Sequence, residues 1–298
     1  MKILVTGIAG QLGQDLADEL NERGHEVAGF DRVPEPPVAC QYRQVDLTDR
    51  AAVLAAMEEV RPEAVIHCAA WTAVALAEEP ENRAAVFAVN ADATRWIAEG
   101  CRAVGAKMLY ISTDYVFNGQ GTEPWKPDQK DYAPLSVYGE SKLQGERAVA
   151  GLLERFFVVR IAWLFGPRGK NFVQTMLRVG KTHESVRVVC DQIGTPTYCP
   201  DLSRLLADMI VTDRYGYYHA TNEGGFISWY EFTKEIYRQA GMKTEVVPVT
   251  TAEYGLSRAA RPFNSRLDKS KLAENGFALL PTWQDALSRY LTAIGEKQ

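Results

Sequence analysis

Short apolar runs alternate with amphipathic stretches through the first half of the chain. Ile3-Leu4-Val5 is followed by a helical pattern from Gln11 to Arg23, then by Val27 to Phe30, a helix over Asp49–Val60, and Ala64 to Ala69. A long helical stretch around Pro80–Val104 leads into Lys107 to Ser112. After Pro134 another helix runs toward Leu153, and Phe156 to Leu164 is extended. These strands are apolar throughout rather than alternating, the pattern of strands covered on both faces. Strands that alternate with helices of this length need right-handed crossovers and a parallel sheet. The predicted fold is α/β, a doubly wound parallel sheet.

Beyond Pro167 the rhythm changes. Asn171–Gly180 reads as helix, Val186–Cys190 as strand, Gly194-Thr195-Pro196-Thr197 as loop, Leu202–Val211 as helix and Tyr217–Ala220 as extended. From Ser228 the tail mixes helices with a strand at Glu245–Val249. The pattern predicts a smaller C-terminal α/β unit, partly built from interleaved segments, with no internal repeat or low-complexity tract.

Composition narrows the function class. The 298 residues are 46% hydrophobic and 24% charged, as in an ordinary globular protein able to bury a core without staples. A formal charge of -5 carries no electrostatic footprint for nucleic acid, and no Lys/Arg run suggests an anionic membrane. Cys40, Cys68, Cys101, Cys190 and Cys199 are odd in number and form no C-x-x-C pair, so a reducing compartment is expected and a zinc site is not. The first residues enter an apolar strand at once, with no cleavable signal pattern, and no apolar run approaches the ~20 residues of a membrane span. The expected location is the cytoplasm.

The first strand ends in T-G-I-A-G-Q-L-G, and a helix with Leu12, Leu16 and Leu20 on one face follows directly. Gly7, Gly10 and Gly13 allow a tight turn and a close backbone approach to a pyrophosphate, which Gln11 and Leu12 would flank at the helix N-terminus. Asp31, at the end of the second strand and roughly 20 residues further on, would accept from an adenosine ribose hydroxyl. Arg32 beside it would pair with a 2′-phosphate, so NADH and NADPH both stay open. Asp46 and Leu47 follow the next apolar stretch, where an adenine edge would lie. Ala69, Ala70 and Thr72 close the strand at Ala64, where small residues leave room for the nicotinamide ribose. The sheet is thus Rossmann-type.

Y-G-E-S-K at 138–142 puts Tyr138 and Lys142 one helical turn apart on one face. A phenol titrates near ~10 and needs a neighbouring cation to work as an acid–base group at neutral pH. Lys142 would supply that charge and bond a cofactor ribose. The run S-T-D-Y-V-F delivers Thr113 to the carboxyl edge of the sheet, within reach of the carbonyl oxygen that Tyr138 would protonate.

Together, T-G-x-x-G-x-x-G, Asp31, the S-T strand end and Y-x-x-x-K resemble the extended short-chain dehydrogenases/reductases. More narrowly, the chain resembles the dTDP-4-dehydrorhamnose reductase family. H-C-A-A-W-T, S-T-D-Y-V-F, V-Y-G-E-S-K, W-L-F-G, N-F-V-Q-T-M-L-R, D-Q-I-G-T-P-T, S-W-Y-E-F and R-P-F-N-S-R-L carry that resemblance in order along the chain. It implies NADPH- or NADH-dependent reduction of the C4 ketone of a dTDP-sugar, dTDP-4-dehydro-L-rhamnose, to dTDP-L-rhamnose. By the same resemblance Tyr138 is the general acid, Lys142 lowers its pKa and Thr113 aligns the carbonyl. Asp114, Trp163, Asn171 and Arg261 then belong to the sugar-nucleotide pocket. Residues 1–165, with a returning segment near 191–222, would bind the cofactor, and 166–190 with 223–298 the substrate. A homodimer linked through Mg2+ is a family feature left open here, with no metal ligands assigned.

One departure is visible: Ala75 stands where the family usually has Asp. Three rival readings compete with this one. A sugar-nucleotide dehydratase needs an Asp-Glu pair after the Thr, and the chain reads Asp114-Tyr115. A fucose-type epimerase-reductase needs a Cys/His acid–base pair in the pocket, and S-T-D-Y-V-F holds no Cys. A non-catalytic regulatory subunit like the β partner of methionine adenosyltransferase would not need Thr113, Tyr138 and Lys142 together. A reductase of another dTDP-ketosugar stays open.

Overall fold

The computed structural model describes residues 1–255 and 258–297. Seven parallel strands form the central sheet: β1 (Lys2–Thr6), β2 (Glu26–Asp31), β3 (Gln41–Gln44), β4 (Ala64–His67), β5 (Lys107–Thr113), β6 (Phe156–Ile161) and β7 (Gly216–His219). Their order is β7-β6-β5-β4-β1-β2-β3, so the winding reverses at β1 between β2 and β4. That reversal opens a crevice at the carboxyl ends of the strands, where ligands of such sheets bind. The doubly wound α/β fold expected from the hydrophobic pattern is the one observed.

Successive side chains of a buried strand point to opposite faces. Ile3 and Val5 pack with Leu16 and Leu20 of α1 (Gln11–Glu22) and with Leu205 and Leu206 of a later helix, Cys199–Ile210. Leu4, between them, joins the opposite core with Val53 and Met57 of α2 (Arg50–Val60) and Ile97 of α3 (Ala93–Val104). The helix Val137–Leu152, α4, covers the same side through Val149. Full burial of one such side chain is worth about 1.5–3 kcal/mol, which is why these strands carry no polar alternation.

A third core lies outside the sheet. Phe165, Val173, Phe232, Trp283 and Tyr290 gather there. They come from the helices α5 (Phe172–Gly180), α7 (Trp229–Gln239) and α8 (Trp283–Ala293) and from a two-residue strand at Leu164–Phe165; the helix Cys199–Ile210, α6, packs in the first core instead. The parallel pair Ser185–Val189 and Glu245–Val249 flanks α7. The segment Gly216–His219 returns to the main sheet as β7, beside β6.

Four local expectations change. The stretch around Pro80–Val104 is not one helix: Arg83–Phe87 and α3 are joined by a π-helical turn at Ala88–Asp92. The strand from Phe156 stops at Ile161, because Trp163 takes a left-handed backbone (φ 51) before the chain resumes at Leu164–Phe165. The loop at Gly194–Thr197 is bracketed by two short strands, Ile193–Gly194 and Thr197–Tyr198. Strand β3 was not expected, since Q-Y-R-Q at the sheet edge is mostly exposed and polar.

Candidate active site

The turn after β1 is shaped by what its glycines leave out. Gly7 has φ +68, and a Cβ there would sit 2.7 Å from Ala69 Cα at the end of β4. A Cβ on Gly13 would lie 2.2 Å from the Gly7 carbonyl oxygen, so only glycine lets α1 start this close to the turn. Gly10 is exposed and is the N-cap of α1, yet no side chain caps that helix. By contrast α2, α4, α5, α7 and α8 are capped by Asp49, Ser136, Asn171, Ser228 and Thr282. An uncapped first turn leaves N–H groups and a partial positive charge for an anion, so the residues present fit a dinucleotide pyrophosphate. Gln11 and the buried Leu12 open that turn.

Asp31 closes the far side. Its Oδ2 accepts from Ala9 N at 3.0 Å and its Oδ1 from Arg32 N at 2.8 Å, which ties the end of β2 to the glycine turn. The Arg32 side chain is exposed. Asp46 accepts from the backbone N and hydroxyl of Thr48 at 2.9 and 2.7 Å, which hold its carboxyl below the usual range, while Leu47 is buried. Ala69 and Ala70 are half-buried at the end of β4, and Thr72 is exposed.

The chemical residues meet at the ends of β4 and β5. Ser136 caps α4 by accepting from Gly139 N at 3.1 Å. Gly139 lets the first turn press onto β5's continuation, since a Cβ there would be 2.3 Å from the Tyr115 carbonyl oxygen. This sets Tyr138 edge-on to Tyr115, with ring centroids 5.5 Å apart. Burial pushes the Tyr138 phenol above its ordinary value, with Asp114 and Tyr115 adding to the rise, while the Thr113 hydroxyl bonds it and pulls the other way. The phenol therefore stays protonated at neutral pH, as a proton donor must before it acts.

Lys142 is 3% exposed, and its Nζ donates to the Ile111 carbonyl at 2.7 Å and lies 4.1 Å over the Tyr110 ring. Burial brings its ammonium down to about 7, opposed by Glu146 and Cys68. Thr113 Oγ1 donates to Asp114 Oδ1 at 3.0 Å. Asp114 is 2% exposed, and burial pushes its carboxyl up to about 6, against hydrogen bonds from Ser265 and Thr113 that pull it down. Arg261 bonds Tyr115 and opposes the rise of that phenol, which burial pushes to about 12. Thr113, Asp114, Tyr138 and, through Tyr115, Arg261 are thus gathered at one place.

The other two predicted pocket residues sit differently. Trp163, held at φ 51, stacks on Trp229 with centroids 3.7 Å apart and covers Gly194. A strained backbone at a large side chain persists only where its surroundings fix it, and such residues collect at functional sites. Asn171 spends its amide within the fold. Its Oδ1 accepts from Gln174 N at 3.0 Å, and its Nδ2 donates to Gly166 O at 2.8 Å and to Gln11 Oε1 at 3.3 Å.

Asn90, which the sequence did not single out, ties the site together. It lies in the π-helical turn and is fully buried. Its Oδ1 accepts from Trp71 N at 2.8 Å, and its Nδ2 donates to Trp71 O at 3.1 Å and to Ser141 Oγ at 3.0 Å. The loop after β4 is thereby clamped to the helix that carries Tyr138 and Lys142. Among the described residues no group of three or more His, Cys, Asp or Glu side chains is arranged to hold a metal ion. Asp15 and Asp18 pair with Arg168.

Residues 1–295 match the family described as the RmlD substrate binding domain. A dTDP-4-dehydrorhamnose reductase from Streptomyces griseus is 41% identical over 298 residues, covering 98% of this chain and 93% of that one. A probable dTDP-4,6-dihydroxy-2-methyloxan-3-one 4-ketoreductase from Streptomyces antibioticus is 38% identical over 289 residues, covering 96% and 93%. The structure of dTDP-4-dehydrorhamnose reductase from Bacillus anthracis str. Ames in complex with NADP superimposes with a TM-score of 0.89 at 41% identity, covering 98% of each chain. The chain belongs to the RmlD substrate binding domain family.

Proposed function

We propose that the protein is an NAD(P)H-dependent oxidoreductase that reduces the C4 ketone of dTDP-4-dehydro-L-rhamnose to dTDP-L-rhamnose. The observation that carries this reading is the meeting of Thr113, Tyr138 and buried Lys142 at the carboxyl edge of the sheet, across the crevice from an uncapped α1. The first turn of α1, with Gly7, Gly10 and Gly13, holds the pyrophosphate, and Asp31 and Arg32 border the adenosine ribose. The bound nicotinamide supplies the hydride.

The chain's own part is to bind, orient and protonate. Thr113 turns its hydroxyl proton from Asp114 to the ketone oxygen beside Tyr138, and Tyr138 gives its proton to that oxygen as negative charge develops there. Lys142 offers a fixed cation to the phenolate that results. General acid catalysis of this kind contributes about 10²–10⁴ in rate. Asp114, Trp163 and Arg261 border the sugar nucleotide, and Asn171 shapes the wall by fixing α5 against Gln11. Residues 166–190 and 223–298 supply that wall, while 1–165 with the return near 191–222 hold the cofactor.

A second reading, reduction of another dTDP-ketosugar, is favoured by the exposed Ala75, which stands where the family usually has Asp. One experiment tests both. The purified protein is given NADPH or NADH with dTDP-4-dehydro-L-rhamnose, and loss of reduced cofactor is followed together with the nucleotide sugar formed. Stoichiometric dTDP-L-rhamnose is expected. No turnover of this sugar, with turnover of a different dTDP-4-ketosugar, transfers the assignment to the second reading.

A further inference from the structure

Below Lys142 lies a buried charge pair that the acid chemistry above does not use. Tyr138, Lys142 and Glu146 stand at i, i+4 and i+8 of α4 and form one ladder along the helix. Lys142 and Glu146 bond consecutive residues of β5: Lys142 Nζ donates to the Ile111 carbonyl, and Ser112 Oγ donates to Glu146 Oε1 at 2.6 Å. Arg160 of β6 then grips the same carboxylate twice, Nε to Oε1 and Nη2 to Oε2, each at 2.8 Å. The two side chains are 0% and 1% exposed.

The arginine's remaining donors are all placed. Nη1 donates to the Pro127 carbonyl at 3.0 Å and to His219 Nε2 at 3.4 Å, and Nη2 to the Tyr132 hydroxyl at 2.8 Å. The rings of Phe117, Tyr132 and Tyr217 lie 5.0–5.2 Å from the guanidinium carbon. A buried pair of this kind stabilises a fold little more than apolar residues of the same volume would. What it does supply is an anion at a fixed place. Its carboxylate is one turn from Lys142, while its guanidinium is turned toward the 127–132 segment and β7.

The groups that face Lys142 are Glu146 on its own helix, His67 and Cys68 from the end of β4, and Tyr110 from β5. Burial holds His67 down to about 3 and pushes Cys68 up to about 12, so both are neutral at physiological pH. Burial pushes Tyr110 up as well, so it too is neutral. Among the described residues Glu146 is therefore the one anion acting on Lys142.

We propose that Glu146 is a positioning residue of the reduction: clamped by Arg160 and Ser112, it holds Lys142 in its ammonium form, ready to receive the phenolate that Tyr138 becomes. This rests on the acid role of Tyr138 proposed above. The sign of its consequence is definite. Burial lowers Lys142 to about 7 even with Glu146 in place, so removing the anion lowers it further. The rate falls as pH rises through the Lys142 pKa, and the alkaline limb of the profile must then move to lower pH.

The test is the pH profile of kcat/KM for ketosugar reduction in the wild type, Glu146→Gln and Glu146→Gln/Arg160→Met. The double variant removes both charges, so no buried guanidinium is left unpaired to unfold the protein. The alkaline limb is expected to move down by about 1–2 pH units in the double variant and in the single one if it folds. A limb that stays at its wild-type position in the folded double variant overturns the proposal. The acid role of Tyr138 survives that result as long as Tyr138→Phe is inactive. A Tyr138→Phe variant with the wild-type rate overturns the acid role and this proposal with it.

Discussion

At Asp114, burial and hydrogen bonding oppose one another. Burial raises the carboxyl from an ordinary value near 3.8 to about 6, although Thr113 and Ser265 pull it down. A carboxyl whose folded pKa lies above its unfolded one stabilises the protein while protonated, and that contribution is lost as pH rises. The window runs from about 4, where the unfolded chain begins to ionise, to about 6, where the folded one follows. The loss across it is about 3 kcal/mol. Asp114→Asn removes the titration, so denaturant unfolding between pH 4 and 7 should show the variant gaining stability relative to wild type as pH rises. An unchanged difference at all pH values contradicts this account of Asp114. At the same scale, Gly7, Gly13 and Asp31 were legible in the sequence because their chemistry is local: a backbone angle, a missing Cβ, an acid at a strand end. Asn90 was not, because its partners Trp71 and Ser141 are distant in sequence and two of its three bonds go to backbone groups.

Helix α4 owes its position to more than its own cap. Asn90, in the π-helical turn before α3, holds both the loop after β4 and the Ser141 hydroxyl, while Glu78 accepts from Val137 N at 2.7 Å. Single π-turns inserted in helices often mark functional sites, and here the extra residue turns an amide into the site's scaffold. Asn90→Ala leaves partly buried backbone groups of Trp71 without their side-chain partner, which costs up to about 1–3 kcal/mol. A lowered Tm and a reduced kcat are expected together, from calorimetry and steady-state rates. A variant with wild-type Tm and kcat contradicts the clamp. The strands other than β3 were readable as elements because their apolar runs leave no polar face, and α4 because a helical pattern follows Pro134. The break at Trp163 was not, since nothing in I-A-W-L-F marks a left-handed residue. Strand β3 escaped because an exposed edge strand needs no apolar face.

Across the whole molecule, the site depends on strands far apart in sequence meeting at one edge. Thr113 comes from β5, Tyr138 and Lys142 from α4, and Arg261 from the C-terminal third. Order along the chain gave their identity, and family resemblance gave their roles. The winding that reverses at β1 puts an uncapped helix N-terminus on the same sheet edge. What the sequence could not carry was which polar groups are already spent: Asn171 caps α5, and the buried Arg160 and Glu146 use each other. The family and the α/β fold follow from the chain's likeness to its relatives, while the choice of proton donor rests on the family resemblance together with the hydrogen bond between Tyr138 and Thr113 at the sheet edge.

That choice is tested most directly by comparing the wild type with Tyr138→Phe in NADPH-dependent reduction of dTDP-4-dehydro-L-rhamnose, with cofactor binding measured separately for both. The variant is expected to bind cofactor as the wild type does and to lose about 10²–10⁴ in kcat. Turnover by Tyr138→Phe at the wild-type rate would contradict it, and would place the proton donor elsewhere in the site.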